Sequence, residues 1–315
     1  MKRGANRSSQ RNPLLWMLSV IIVASVVCSL LISVFPSPSA PAEESLPTLP
    51  PLWTPSPVPP TPTATATLEA TPVVASTATP VPPEDSGLPW AFAVLGASQG
   101  LDLAARTALQ AIEAEGVVFV LHGGNMTASG TQYEFEEWHN LLADLALPFY
   151  PTPGNLDNGD GALVAYLAFS GASAAHYSFD RGPLHVSVAN ASLGVLSEEE
   201  LAWLAADLAA TTKALRVVAL HYPPFDPADG ADVLAPGGEA LMQMLASEEV
   251  DLVVIGHLPT ARDEVRDGVR YVAPGALGAR TDGAEEMGTP HYLRVTVSGT
   301  ELFVEAVPVD VTAAP

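Results

Sequence analysis

From residue 90 onward the apolar positions follow two alternating rhythms. Residues 90–96 form an unbroken apolar run, the mark of a strand buried on both faces. Leu101, Leu103, Ala104, Leu109 and Ile112 then recur close to a helical period, so residues 101–115 are predicted as a helix. The pair repeats. Residues 117–122 predict a second strand, Phe135, Trp138, Leu141, Leu142 and Leu145 mark the buried stripe of a second helix, and residues 148–152 predict a third strand. Strand, helix, strand, helix, strand implies a parallel sheet with right-handed crossovers, its strand ends opening on one edge.

After that the pattern changes. Residues 176–180 and 184–189 flank Arg181-Gly182-Pro183 and read as an antiparallel pair; Ser197-Glu198-Glu199-Glu200 reads as a capping box opening a helix to about Ala210. Buried strands follow at 217–221 and 252–256, with a helix near 239–246 between them. The remaining strands are short, at 264–266 and 269–273 about an Asp267-Gly268 turn, then at 291–297 and 301–307. A parallel beginning and an antiparallel end predict an α/β fold of two mixed sheets packed face to face, with helices outside.

Before residue 89 no such pattern exists. Lys2, Arg3, Arg7 and Arg11 precede an uncharged apolar run at residues 14–35, which as a helix would rise about 33 Å and so span a bilayer. The chain is thus divided into a basic cytoplasmic tail (1–13), a transmembrane signal anchor (14–35), a Pro/Thr/Ala-rich disordered linker (36–88) and a globular domain (89–315). The basic side stays cytoplasmic, which places the domain outside, at the cell membrane on a single span. The rival is a cleaved signal peptide, for which Ala40-Pro41-Ala42 supplies small residues. Cys28 is the only cysteine and lies within the apolar run, which excludes a disulfide framework and a thiolate metal site; bulky Val27 before it argues against lipid modification. The linker composition cannot bury enough apolar surface to order itself, and if extended it reaches on the order of 150 Å.

Charge narrows the partners. The chain carries a formal net charge of −22, and its N-terminal tail is basic, so the globular part is strongly acidic. Such a field repels polyanions and excludes nucleic acid as a partner; solubility alone is the bland explanation of the acidity.

Candidate chemistry sits where predicted strands end in turns, because ligands of α/β proteins bind beyond the carboxyl ends of strands. Five such ends occur: Gly96-Ala97-Ser98-Gln99, Gly124-Asn125, Gly154-Asn155-Leu156-Asp157, His221-Tyr222-Pro223-Pro224, and Gly256-His257-Leu258-Pro259. Taken together and in order, they resemble the calcineurin-like metallophosphoesterase family. That family carries Asp-x-His or Asp-x-Gln, Gly-Asp-x-x-Asp, Gly-Asn-His-Asp or Glu, a His, and Gly-His-x-His at these places. The resemblance implies a metallophosphoesterase-like α/β/β/α sandwich and a two-metal hydrolysis of phosphate esters, with a metal-bridging hydroxide attacking phosphorus.

Carried over position by position, the implied ligand set is damaged. The first metal finds Ala97 for its Asp, Asn125 for the bridging Asp and Pro259 for a His, leaving Gln99; the second finds Asn125, Asn155, His221 and His257. Leu156 replaces the His that assists the leaving group. Two dications about 4 Å apart repel by about 16 kcal/mol at an effective dielectric of about 20, and neutral amides and imidazoles do not offset that. The residual metal positions are therefore Gln99, Asn125, Asn155, His221 and His257, with no catalytic residue assigned, and the cofactor expectation is none or one weakly bound zinc, manganese or iron ion.

The leading expectation is a membrane-tethered, catalytically impaired phosphoesterase domain whose crevice binds a protein or envelope ligand. The alternatives are a weak mononuclear metal-dependent phosphoric ester hydrolase and a purely structural ectodomain. Structural readings stand beside each residue: His221 and His257 as hydrogen-bonded strand-end histidines, Asn155 as a turn former, Asp157 and Asp160 as members of a solvated turn, and His122, His139, His176, His185 and His291 as structural or surface residues.

Overall fold

The computed structural model describes residues 87–159, 161–227, 232–277 and 290–312. The basic tail, the apolar run, the linker up to residue 86 and Asp160 lie outside these residues. Among the described residues no helix is long and apolar enough to cross a membrane.

The described elements are β1 (Trp90–Leu95), α1 (Leu103–Ala114), β2 (Val120–His122), α2 (Gln132–Asp144), β3 (Phe149–Pro151), α3 (Val164–Phe169), β4 (Tyr177–Arg181), β5 (Leu184–Val188), α4 (Glu198–Ala210), β6 (Leu215–Leu220), α5 (Gly238–Ser247), β7 (Leu252–Ile255), β8 (Arg262–Arg266), β9 (Val269–Ala273), β10 (His291–Ser298) and β11 (Glu301–Pro308). They build two sheets, ordered β11-β10-β1-β2-β3 and β4-β5-β6-β7-β9-β8. In the first, β1, β2 and β3 run parallel and β10 and β11 close one side antiparallel. In the second, β5, β6, β7 and β9 are parallel, flanked by antiparallel β4 and β8.

The alternation of side chains along each strand sorts the core into three layers. Phe92 and Val94 of β1 face the second sheet, while Ala91, Ala93 and Leu95 face α1 and α2. Val217 and Ala219 of β6, with Leu252 and Val254 of β7, fill the space between sheets. Their neighbours Val218, Leu220, Val253 and Ile255 pack under α4 and α5. Aromatic rings join the sheets at one side: Tyr150 of β3 stacks on Phe179 of β4 with ring centres 3.7 Å apart, and Phe119 meets Phe179 edge-on at 5.4 Å. Such pairs add about 0.5–1.5 kcal/mol each beyond their area. The result is the two-sheet sandwich with flanking helices that the pattern predicts.

Local differences have local causes. Ser197 accepts from the Glu200 backbone N–H, but the Glu200 carboxylate turns away to Asn190 N and His176 Nδ1, so only half of the expected capping box forms. The complete box is at Thr131 and Glu134, which opens α2. Helix α3 has no counterpart in the sequence reading, because it is 6 residues long and starts without a side-chain cap, from Leu163 at φ 57°.

At the strand ends the sheets touch through backbone. A Cβ added at Gly256 would overlap the carbonyl oxygen of Gly123, so glycine is required where β7 runs out against the end of β2. Gly256→Ala is expected to wedge the two ends apart and to lower the unfolding free energy in urea by about 2–3 kcal/mol.

Candidate functional site

The carboxyl ends of β1, β2, β3, β6 and β7 converge on one edge of the sandwich, and each continues into a turn. The first two turns interlock. Ser98 N and Gln99 N donate to the Asn125 carbonyl at 3.1 and 2.8 Å, and Gly100 N donates to the Met126 carbonyl at 2.7 Å. Both Gln99 and Asn125 adopt left-handed backbone, at φ 51° and 54°. That conformation is ordinary for Asn and costly for Gln, and such residues persist where surrounding contacts over-determine them. The third turn comes so close that a Cβ on Gly154 would overlap Asn125, which leaves glycine as the only fit.

Four of the five expected site residues meet there. Leu156 N donates to Asn125 Oδ1 at 2.9 Å, which orients the Asn125 amide so that its Nδ2 donates to Asn155 Oδ1 at 3.2 Å. His221 Nδ1 lies 2.8 Å from the Gly123 carbonyl. A carbonyl only accepts, so Nδ1 carries the proton. Burial lowers the His221 pKa to about 3, so the ring is neutral and Nε2 presents a lone pair. That lone pair faces Asn155 Oδ1 at 3.0 Å and His257 Nδ1 at 3.1 Å. Tyr222 covers His257, ring centres 4.2 Å apart. Asn125 and His221 are buried, whereas Asn155, His257 and Gln99 are partly exposed. Gln99 joins the group through its backbone.

Two further networks hold the turns. Asp157 is 1% exposed: its Oδ1 accepts from Thr127 N and Oγ1, each at 3.0 Å, and its Oδ2 accepts from Gly154 N at 3.0 Å. The expectation of a solvated turn at Asp157 is corrected by this burial, and Asp160 lies outside the described residues. The sequence held one signal for the contact, since Thr127 and Asp157 each stand two places after a Gly-Asn pair. His122 is a structural histidine. Gly124 N donates to its Nδ1 at 3.1 Å, its Nε2 meets Ser98 Oγ at 3.2 Å, and Ser98 donates onward to the Met126 carbonyl at 3.2 Å. Burial lowers its pKa to about 3 as well. Away from the crevice, His176 pairs with Glu200 at 2.7 Å, and His185 lies between Asp180 and Asp207 at 2.7 and 3.0 Å.

The donor atoms decide whether a metal centre fits. Ala97 offers only its backbone, whose carbonyl accepts from Leu277 N, and the Pro259 carbonyl accepts from Ala276 N, so two first-metal ligands have no equivalent. Asn125 presents N–H rather than oxygen toward Asn155. Asp157 has both oxygens engaged in the turns. Among the described residues no group of three or more His, Cys, Asp or Glu is arranged to hold a metal ion. A dinuclear centre therefore does not fit. Asn155 Oδ1, His221 Nε2 and His257 Nδ1 are the atoms that would hold a single divalent ion, all three uncharged.

The fold and the order of these strand ends define a class, and the comparisons agree. The chain belongs to the calcineurin-like phosphoesterase family, whose model matches residues 98–261. A probable glycerophosphodiester phosphodiesterase, GpdQ, of Arcobacter nitrofigilis is 28% identical over 151 residues, which are 44% of this chain and 55% of that protein. The chain thus spans about half the length of that curated relative. Among solved structures, GAP50, the anchor in the inner membrane complex of Plasmodium, superposes with a TM-score of 0.54 at 16% identity, over 70% of this chain and 85% of that one. The purple acid phosphatase PPD1 of yellow lupin gives 0.53 at 14% identity, over 70% and 52%. At these identities both show the shared fold alone.

The buried groups make stability depend on pH, with opposing signs. His122 and His221 are held well below their unfolded pKa of about 6.5, so unfolding takes up protons between about pH 3 and 6.5; their contribution is present above that window and lost as pH falls through it. Asp157 is raised to about 6 by burial, against the pull of its donors, so its contribution runs the other way between about pH 4 and 6. Removing one depressed histidine should therefore flatten the acid side. Between pH 6 and 4, His122→Gln is expected to reduce the slope of unfolding free energy against pH by about 1.4 kcal/mol per unit, read from urea titrations.

Proposed function

We propose that this chain is a membrane-tethered, extracytoplasmic phosphoesterase domain that has lost its hydrolytic centre and uses the crevice to bind a protein or envelope ligand. The observation that carries the reading is the chemistry of the strand ends. The family's resemblance calls for carboxylates at Ala97 and Asn125, and neither position supplies one; Asn125 instead donates a hydrogen bond into the ligand cluster. With only amides and imidazoles facing inward, nothing offsets the repulsion of two dications. Leu156 stands where a proton donor worth about 10²- to 10⁴-fold in rate is needed. The basic N-terminus, the apolar run at residues 14–35 and the acidic domain support the tether and the outside location.

One observation favours a second reading, a weak mononuclear hydrolase. Asn155 Oδ1 and His257 Nδ1 lie 3.0 and 3.1 Å from His221 Nε2, a spacing that ligands of one ion adopt. The glycerophosphodiester phosphodiesterase relative makes a phosphodiester the substrate to test.

The full chain, purified in mild detergent, is expected to hydrolyse an activated phosphodiester no faster than His221→Ala, with manganese or zinc added. Turnover that requires the metal and disappears in His221→Ala would establish the second reading instead. Elemental analysis should find less than about one transition ion per chain; two tightly held ions would overturn the loss of the centre.

Topology is tested on cells. Protease added outside intact cells should cut within residues 36–88 and release the domain, whereas a domain reached only after lysis, or already free in the medium, contradicts the tether.

A further inference from the structure

We propose that the Asn125 side chain takes the structural place of the metal ion, cross-linking the turns after β2 and β3 so that the crevice is held in shape without metal. The inference rests on the reading that the hydrolytic centre is lost, and extends it from what is missing to what replaced it. In the family's arrangement a cation draws the turn carboxylate, the turn amide and the histidines together. Here the same positions are drawn together by protons. Asn125 has one atom for each side of the neighbouring turn: Oδ1 accepts from Leu156 N at 2.9 Å and Nδ2 donates to Asn155 Oδ1 at 3.2 Å. Asn155 Oδ1 is the same atom that lies 3.0 Å from His221 Nε2, so the amide hydrogen supplies positive charge where two lone pairs otherwise face each other. Asn125 is 4% exposed and its partners Asn155 and Leu156 are half-buried, so the amide itself is largely shielded from competing water. A carboxylate at this position would keep the Leu156 contact and lose the other. Its second oxygen would oppose Asn155 Oδ1, and the repulsion would be relieved by a cation or by a proton taken up at a cost from water.

The role is tested on the full chain in detergent by thermal unfolding, in chelator and in excess manganese or zinc. In chelator, Asn125→Asp and Asn125→Ala should both unfold on the order of 5 °C below the wild type. Metal should raise Asn125→Asp by a similar amount, because a carboxylate joins Asn155, His221 and His257 as ligands. It should leave Asn125→Ala and the wild type within a small fraction of that shift. The inference is overturned if Asn125→Asp is as stable as the wild type in chelator, or if metal stabilises the wild type as much as the Asp variant. Either result is separable from the phosphodiester assay. Turnover by the wild type would refute the loss of the centre, while the thermal series reports the cross-link alone.

Discussion

The hydrogen bond from His221 Nδ1 to the Gly123 carbonyl ties the two sheets of this sandwich together at the point where their strand ends open. It crosses from the end of β6 to the end of β2, and it forms because Gly256 lets the backbone of the second sheet come against Gly123. Several properties follow from that one contact. It fixes which His221 nitrogen carries the proton, and so which lone pair faces the crevice. It holds the imidazole between the sheets, where burial outweighs the opposing pull of the bond itself and keeps the ring neutral across the physiological range. And it brings His221 Nε2 against Asn155, whose own turn is held to that of Asn125. A bulkier residue at position 256 would therefore alter the chemistry of the site as well as the packing of the sheets.

Most of the fold was legible because its strands obey simple rules. Runs such as Ala91 to Leu95 and Val217 to Leu220 are apolar on both faces, as strands packed between helices and a second sheet must be. The convergence of the five turns was legible through the resemblance of their residues, taken in order, to one family. What the sequence hid was hydrogen-bond direction. Nothing in Ser197-Glu198-Glu199-Glu200 says that the Glu200 carboxylate prefers Asn190 and His176 to its own cap. Asp157-Asn158-Gly159 has the composition of a solvated turn, yet three donors from Thr127 and Gly154 draw the carboxylate inward. Helix α3, with 6 residues and no capping side chain, carries too little periodicity to be read.

The same distinction separates chemistry from architecture at the crevice. Its shape is made by backbone: the Ser98, Gln99 and Gly100 N–H groups hold the second turn, Gly154 admits the third against it, and Ala97 and Pro259 join through their carbonyls to Leu277 and Ala276. Asn125 and His221 also brace this frame with their side chains, but the residues at positions 97, 156 and 259 support it through backbone alone. They can be exchanged at modest structural cost provided each buried polar atom left behind finds a partner. Ala97 and Pro259 leave none behind, and Leu156 contributes its N–H to Asn125.

Asn125 is the position where that condition is hardest to meet, since its side chain is buried between two turns and faces an oxygen. Any residue there must either accept a cation or donate a proton toward Asn155. An amide is the smallest side chain that accepts on one atom and donates on the other, and Asn also tolerates the left-handed backbone that this turn imposes at φ 54°. Serine could donate from a single oxygen but would not reach both sides of the neighbouring turn, and glutamine would overfill the space beside Gly154. The absence of carboxylate charge at this position and the hydrogen-bonded order of the crevice are therefore two results of one residue, Asn125. On the reading proposed above, that is how a phosphoesterase frame would outlast its metal centre.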